Sequence, residues 1–219
     1  MLIGLISDVH ANLPALQAVL DKLENCDEIY CCGDIVGYYP YPNEVIEMLR
    51  DYEINSVLGN HDYSVLTGDV SGYNYVAETT LRWTISHIKD ENIEFLSELP
   101  FSISTNYFSV YHGKPGEGLE VLFEYIFPEY LNDVSFDENV VIGHTHIQFV
   151  KWFDDKFVLN PGSVGQPRDG DSRAAYAVFD SEGFKIKLKR TNYNIDEVCD
   201  AVDKAGLPTY LCDRLYMGV

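Results

Sequence analysis

Short apolar runs alternate with stretches of helical periodicity over the first sixty residues, and each run gives way to charged or hydrogen-bonding side chains. Leu2 to Ser7 has no polar face and reads as a central strand, followed by Asp8-Val9-His10-Ala11-Asn12. Leu13, Leu16, Val19, Leu20 and Leu23 then recur at helical spacing, with Asn12 as N-cap and Pro14 inside the first turn. The pattern repeats at Glu28 to Cys32, which ends in Gly33-Asp34 ahead of a helix beginning near Asn43, and at Ile54 to Leu58, which ends in Gly59-Asn60-His61-Asp62. Such a βαβ rhythm places the strands in a largely parallel sheet by right-handed crossovers, with ligands at the carboxyl edge.

Residues 63 to 75 carry no periodicity and read as a loop over that edge. Helices are expected at Tyr75 to Ile88 and Ile93 to Leu99, strands at Phe101 to Thr105 and Phe108 to Tyr111, and a further helix around Leu119 to Leu131. The second strand of that pair ends in His112. In Val140 to Ile147 (VVIGHTHI) an apolar run breaks at Gly143 and presents two histidines one residue apart. On extended backbone His144 and His146 would share a face, with Gly143 easing the turn. Strands near Phe149 to Phe153 and Lys156 to Leu159 lead into a polar loop from Asn160 to Arg173. A hairpin of Ala174 to Phe179 and Phe184 to Arg190, a helix from Ile195 to Lys204 and a short tail complete the chain.

The polar residues that follow apolar runs are Asp8, His10, Asp34, Asn60, His61, His112, His144 and His146, and they include five of the six histidines. Only His87, inside a predicted helix, falls outside this set. A lone pair of histidines is usually a surface feature, but this clustering points to metal. Mixed imidazole and carboxylate donors suit first-row divalent ions better than magnesium or calcium. Seven donors exceed one tetrahedral shell, so two ions about 3.5 to 4 Å apart, sharing a carboxylate, are the economical reading.

Composition sharpens this picture. The 219 residues carry 35 acidic and 15 basic side chains, a net charge of −20, which argues against a nucleic acid polymer or an anionic membrane as partner. A phosphate would need a local reversal of sign, and two divalent ions against two carboxylates would supply it. With 46% hydrophobic residues the chain can build a core, and a single domain over 1–219 is expected. Five cysteines without a paired pattern suggest neither disulfides nor a zinc knuckle, and no stretch reaches the roughly 18 apolar residues of a membrane span. A cytoplasmic location is expected, and a homo-oligomer is left open.

The order DxH, GD, GNHD, a histidine after a strand and GHTH resembles the calcineurin-like metallophosphoesterases, and SDVHANLPAL with NPGSVGQPRDGDSR is similar to their small microbial phosphoesterase and phosphodiesterase group. The resemblance implies a four-layer α-β-β-α sandwich of two mixed sheets with flanking helices. It implies that Asp8, His10 and His146 bind one metal, Asn60, His112 and His144 a second, with Asp34 between them and His61 as the acid for the leaving oxygen. Manganese is the expected ion, with nickel, iron, zinc or cobalt able to fill the same shell. The expected activity is hydrolysis of a small phosphodiester or nucleotide by a metal-bridging hydroxide. A phosphomonoesterase or serine/threonine protein phosphatase is the alternative within enzymes, and a non-catalytic scaffold or binding module with this fold the alternative outside them. The sequence departs from the larger relatives at GDIVG, where Gly37 replaces the aspartate that orients the catalytic histidine. Arg168 and Arg173 could fork onto a phosphate or pair with Asp169 and Asp171, and Asn12 could assist the substrate or only cap its helix. Tyr38, Tyr39 and Tyr41 are expected to pack a loop.

Overall fold

The computed structural model describes residues 1–116, 118–133 and 136–219. The first half runs β1 (Leu2–Ile6), α1 (Leu13–Leu23), β2 (Glu28–Cys31), α2 (Pro42–Asp51), β3 (Asn55–Ser56), α3 (Asn60–Thr67), α4 (Tyr75–His87) and α5 (Asp90–Ser97). The second half adds β4 (Ser102–Ser104), β5 (Ser109–Tyr111), β6 (Val140–Val141), β7 (Phe149–Phe153), β8 (Lys156–Asn160), β9 (Ala174–Asp180), β10 (Lys185–Thr191), α6 (Ile195–Lys204) and α7 (Tyr210–Met217).

Two five-stranded mixed sheets result, ordered β10-β9-β1-β2-β3 and β4-β5-β6-β8-β7. Parallel pairing holds the centre of each, β1 with β2 and β2 with β3 in the first, β5 with β6 and β6 with β8 in the second. The chain returns through antiparallel strands at the flanks, where β9 pairs with β1 and with β10. Alternation along β1 divides its side chains. Ile3 and Leu5 face the second sheet and join Val110, Val141, Phe157, Leu159 and Phe179 in a buried layer between the sheets. Ile6 joins the core under the helices, where Leu16, Val19, Leu20 and Leu23 of α1 are buried. Burying each such side chain contributes about 1.5–3 kcal/mol.

Three expectations are corrected. Residues 63 to 67 are helical, because α3 begins inside the Gly59-Asn60-His61-Asp62 run: Asp62 accepts the Gly59 N–H and Gly68 closes the helix in the left-handed conformation. The segment expected as a helix from Leu119 to Leu131 forms two 3-10 turns, Glu120–Phe123 and Pro128–Asp133. Pro128 lacks an N–H and disfavours α conformation at Phe127, so one continuous helix cannot run through. These turns pack Leu131 on Val140, Ile142 and Val158, the outer face of the second sheet. The expected short tail contains α7, with Leu211 and Leu215 buried and Gly218 as its left-handed cap.

The two sheets meet at their carboxyl edges, where β6 gives way to Gly143. This glycine is needed for close approach: a Cβ there would stand 2.0 Å from the Ser7 hydroxyl oxygen at the end of β1. Among the described residues, no helix is long and apolar enough to cross a membrane. Gly143→Ala should therefore destabilise the fold by about 1–3 kcal/mol, read as a lower urea midpoint; an unchanged midpoint would contradict this account of the contact.

Candidate active site

Loops at these edges and the start of α3 carry the polar residues singled out in the sequence, and four of the five histidines of the cluster are held by main-chain carbonyls. His10 Nδ1 lies 3.2 Å from the oxygen of Val36, His112 Nδ1 2.7 Å from that of Cys32, His146 Nδ1 2.6 Å from that of Gln166 and His144 Nε2 3.3 Å from that of Phe123. A carbonyl can only accept, so these four nitrogens carry the hydrogens and the opposite nitrogens are bare lone pairs. The bare nitrogens face one another. His10 Nε2 and His146 Nε2 are 3.0 Å apart, as are His112 Nε2 and His144 Nδ1. Asn60 adds a third such approach: its amide nitrogen donates to the Tyr73 hydroxyl at 2.6 Å, which turns Oδ1 to 2.8 Å from His112 Nε2.

Lone pairs meeting lone pairs repel unless a cation lies among them, so the donor set fits divalent metal ions. Two groups are formed, Asp8 with His10, Asp34 and His146, and Asp34 with His112 and His144. Asp34 belongs to both, with one oxygen 3.6 Å from His10 Nε2 and the other 3.5 Å from His112 Nε2. Asp8 lies 3.4 Å from His146 Nε2. The convergence of His144 and His146 does not come from an extended strand. β6 ends at Val141, and both histidines have left-handed backbone with φ of 67° and 60°.

Left-handed backbone is concentrated here. Of ten non-glycine residues with positive φ among those described, seven are Asp8, His10, Ala11, Asp34, Tyr38, His144 and His146. Such conformations cost about 1–3 kcal/mol each and persist only where the surroundings hold them. The holding bonds run between loops: Asp8 N–H to Gly33 O, His10 N–H to Asp34 O, Ala11 N–H to Ile35 O and Gly165 N–H to Asp8 O. Asp62, not singled out in the sequence, accepts from the N–H groups of Ile35, Val36 and Gly59 and so locks the Asp34 loop to the start of α3.

His61 sits at that start, its N–H donating to Asp34 Oδ1 at 2.8 Å. Its Nδ1 is buried with no hydrogen-bond partner. The cause is Gly37: a Cβ built there would stand 2.4 Å from His61 Nδ1, so neither side chain nor carboxylate fits between them.

A polar cleft of about 190 Å³ opens over the cluster, lined by Asp34, Asn60, His61, His144 and His146 together with Tyr38, Tyr73, Tyr125, Arg168 and Arg214. Tyr38 is thus a site residue and not loop packing, its ring 4.8 Å from that of His61, whereas Tyr39 is buried and bonded to Gln166. Arg168 reaches the cleft and donates to the Tyr38 hydroxyl and to Gln166 Oε1. Arg173 does not; its exposed guanidinium is paired with Asp171, two residues away in its own loop. Asn12 also stays outside, with Oδ1 accepting from the Ala15 N–H and Nδ2 donating to Gly165 O, so the side chain is fully used as a cap and loop tie. His87 lies far from the cluster on α4, stacked on Trp83.

Burial dominates the electrostatics. It lifts the Asp8 carboxyl to about 7 and Asp34 well above the usual carboxylate range, and it drives His10, His61, His144 and His146 well below that of a free histidine. The imidazoles of His10, His144 and His146 are therefore neutral, the form that can ligate, while a cation must displace the Asp8 proton. Proton and metal compete, so affinity should fall as the pH is lowered below 7, by up to about tenfold per unit from this group alone. Equilibrium dialysis against manganese at pH 8 and pH 6 should show the weaker binding at pH 6; equal affinity would contradict the reading.

The descriptive model of the calcineurin-like phosphoesterase superfamily domain matches residues 1–183, a span that contains every residue of this cluster. A protein of Methanocaldococcus jannaschii with no assigned activity is 40% identical over 99% of this chain and 98% of its own length. A phosphodiesterase of the same organism is 29% identical over 74% of this chain and 83% of its own. The crystal structure of a metallophosphoesterase from Sphaerobacter thermophilus superimposes with a TM-score of 0.88 at 36% identity, covering 100% of this chain and 99% of that one. A family match of this extent, carried by the same loops that gather the buried histidines and carboxylates, means that the chain belongs to the calcineurin-like phosphoesterase superfamily of metal-dependent phosphoester hydrolases.

Proposed function

We propose that the protein hydrolyses small phosphodiesters, nucleotides among them, with two divalent transition-metal ions, manganese by preference. The observation that carries this reading is the facing of bare imidazole nitrogens across two groups that share Asp34. Asp8, His10 and His146 would hold one ion, Asn60, His112 and His144 the other, with Asp34 common to both. Bound there, the ions supply Lewis acidity and a water of lowered pKa.

The chain's own residues do the rest. Tyr73 holds the Asn60 amide oxygen toward the cluster. Arg168 offers a guanidinium to the phosphoryl oxygens, a geometry suited to paired hydrogen bonds. His61 has Nδ1 closed off against Gly37, which leaves Nε2 to meet the substrate. The negative charge of a bound phosphoester would oppose the effect of burial and let this ring take up the proton that it passes to the departing oxygen. The absence of an orienting carboxylate makes the aromatic walls, His10, Tyr38 and Tyr73, the groups that fix this ring. The small cleft and the acidic chain favour a small substrate over a phosphoprotein, and the related phosphodiesterase supports a diester over a monoester. A cytoplasmic location accords with free cysteines.

Chelator-stripped protein should not cleave bis-p-nitrophenyl phosphate until manganese is returned, and should cleave it faster than p-nitrophenyl phosphate. Asp34→Asn should lose at least about 100-fold. No turnover with any divalent ion on folded protein would favour the binding-module alternative, and a preference for the monoester would favour a phosphatase. His61→Ala should keep its metal and lose about 10²–10⁴ in kcat; an unchanged kcat would remove His61 as the acid.

A further inference from the structure

Several of the 15 basic side chains are ion-paired at the surface. Arg82, Lys89, Lys114, Arg173 and Arg190 pair with Glu78, Glu47, Glu124, Asp171 and Asp169. Arg168 and Arg214 pair with no aspartate or glutamate among the described residues, and, unlike those five, both line the cleft over the buried cluster. Each guanidinium carbon lies 5.9 Å from the centre of the Tyr38 ring, so the two can be no more than twice that distance apart. Arg168 donates to two neutral oxygens, and its Nε is buried with no partner at all. Arg214 uses one nitrogen, Nε, on the main-chain oxygen of Val219.

The two arrive by different routes. Arg168 comes from the loop between β8 and β9, inside the matched family region. Arg214 comes from α7, beyond residue 183 where that match ends. Leu211 and Leu215 anchor α7 in the core, which turns the half-buried Arg214 toward the cleft. Tyr38 lies beside both the guanidiniums and the cluster, its ring 4.7 Å from that of His10. A phosphoryl group at the cluster can engage only so many positive charges; two guanidiniums at the rim, neither paired with an aspartate or glutamate and with Nη groups left over, suit further negative charge on the ligand.

We infer that Arg214, beside Arg168, forms a second anion subsite, which selects phosphoesters carrying a further phosphate next to the one that is cleaved. The inference rests on the proposed hydrolysis and makes Arg214 a specificity residue that α7 adds to the family site.

The test uses manganese-loaded full-length protein that hydrolyses bis-p-nitrophenyl phosphate; failure of that reaction counts against the proposed function and not against the subsite. Titration calorimetry at fixed free manganese compares AMP with α,β-methylene-ADP, and methylphosphonate with methylenediphosphonate. The second member of a pair should bind at least tenfold more tightly. A gain in both pairs makes the added phosphate sufficient for recognition, and a gain in the nucleotide pair alone makes the ligand a nucleotide; both support the subsite. Arg214→Ala should erase the gain while AMP affinity changes by less than about threefold, and Arg214→Lys should restore part of it, each variant being checked by thermal unfolding. Equal affinity within both pairs, or a gain that survives Arg214→Ala, would overturn the inference.

Discussion

The site depends on the donation of four imidazole N–H groups to main-chain carbonyls. A histidine in water chooses freely between tautomers; here Val36, Cys32, Gln166 and Phe123 make the choice, and the remaining lone pairs are turned inward before any ion arrives. Burial holds His10, His144 and His146 well below the range of a free histidine, so these rings do not escape the conflict by protonation. The conflict between facing lone pairs is relieved by a cation, and a preset ligand shell loses little entropy when it binds.

That requirement explains the expensive backbone around it. Carbonyls and rings can be aimed in this way only if the loops at the carboxyl edges turn sharply, and Asp8, His10, Asp34, His144 and His146 all take left-handed conformations to do so. The sheets offset the cost. Parallel β1, β2 and β3, and β5, β6 and β8, bring the loops side by side, and inter-loop hydrogen bonds with the Asp62 carboxylate tie them together. Gly143 and Gly37 complete the arrangement by being small, one so that the two sheets can touch, the other so that His61 can lie flush against the Asp34 loop.

The residues gathered at the sheet edges were legible in short-range patterns, apolar runs that end in Asp, His or Asn, whereas the two mixed sheets were implied by the family resemblance, the pattern alone suggesting one largely parallel sheet. What the sequence could not disclose was long-range or conformational. Extended geometry is the natural guess for His144 and His146; their left-handed turns go with contacts between the loops after β6 and β1, where Gly143 meets Ser7 and the His144 N–H donates to the Asp8 carboxylate. The role of Asp62 depends on three N–H groups from two loops. Tyr38 reads like its neighbours Tyr39 and Tyr41 until the fold places it against His61. Arg168 and Arg173 sit five residues apart in one polar loop, yet only the first reaches the cleft, since Asp171 claims the second. Arg214 lies on α7, whose Leu211, Leu215 and Gly218 did carry a helix signal that the reading of a short tail passed over.

The central claim is that one buried carboxylate, Asp34, serves two cations. Electron paramagnetic resonance of the manganese-loaded protein, with the metal content measured on the same sample, tests this most directly. The account predicts two ions per chain with a spin-coupled spectrum, because a shared carboxylate brings the ions within exchange distance. One ion per chain, or two with the spectrum of isolated manganese, would contradict it.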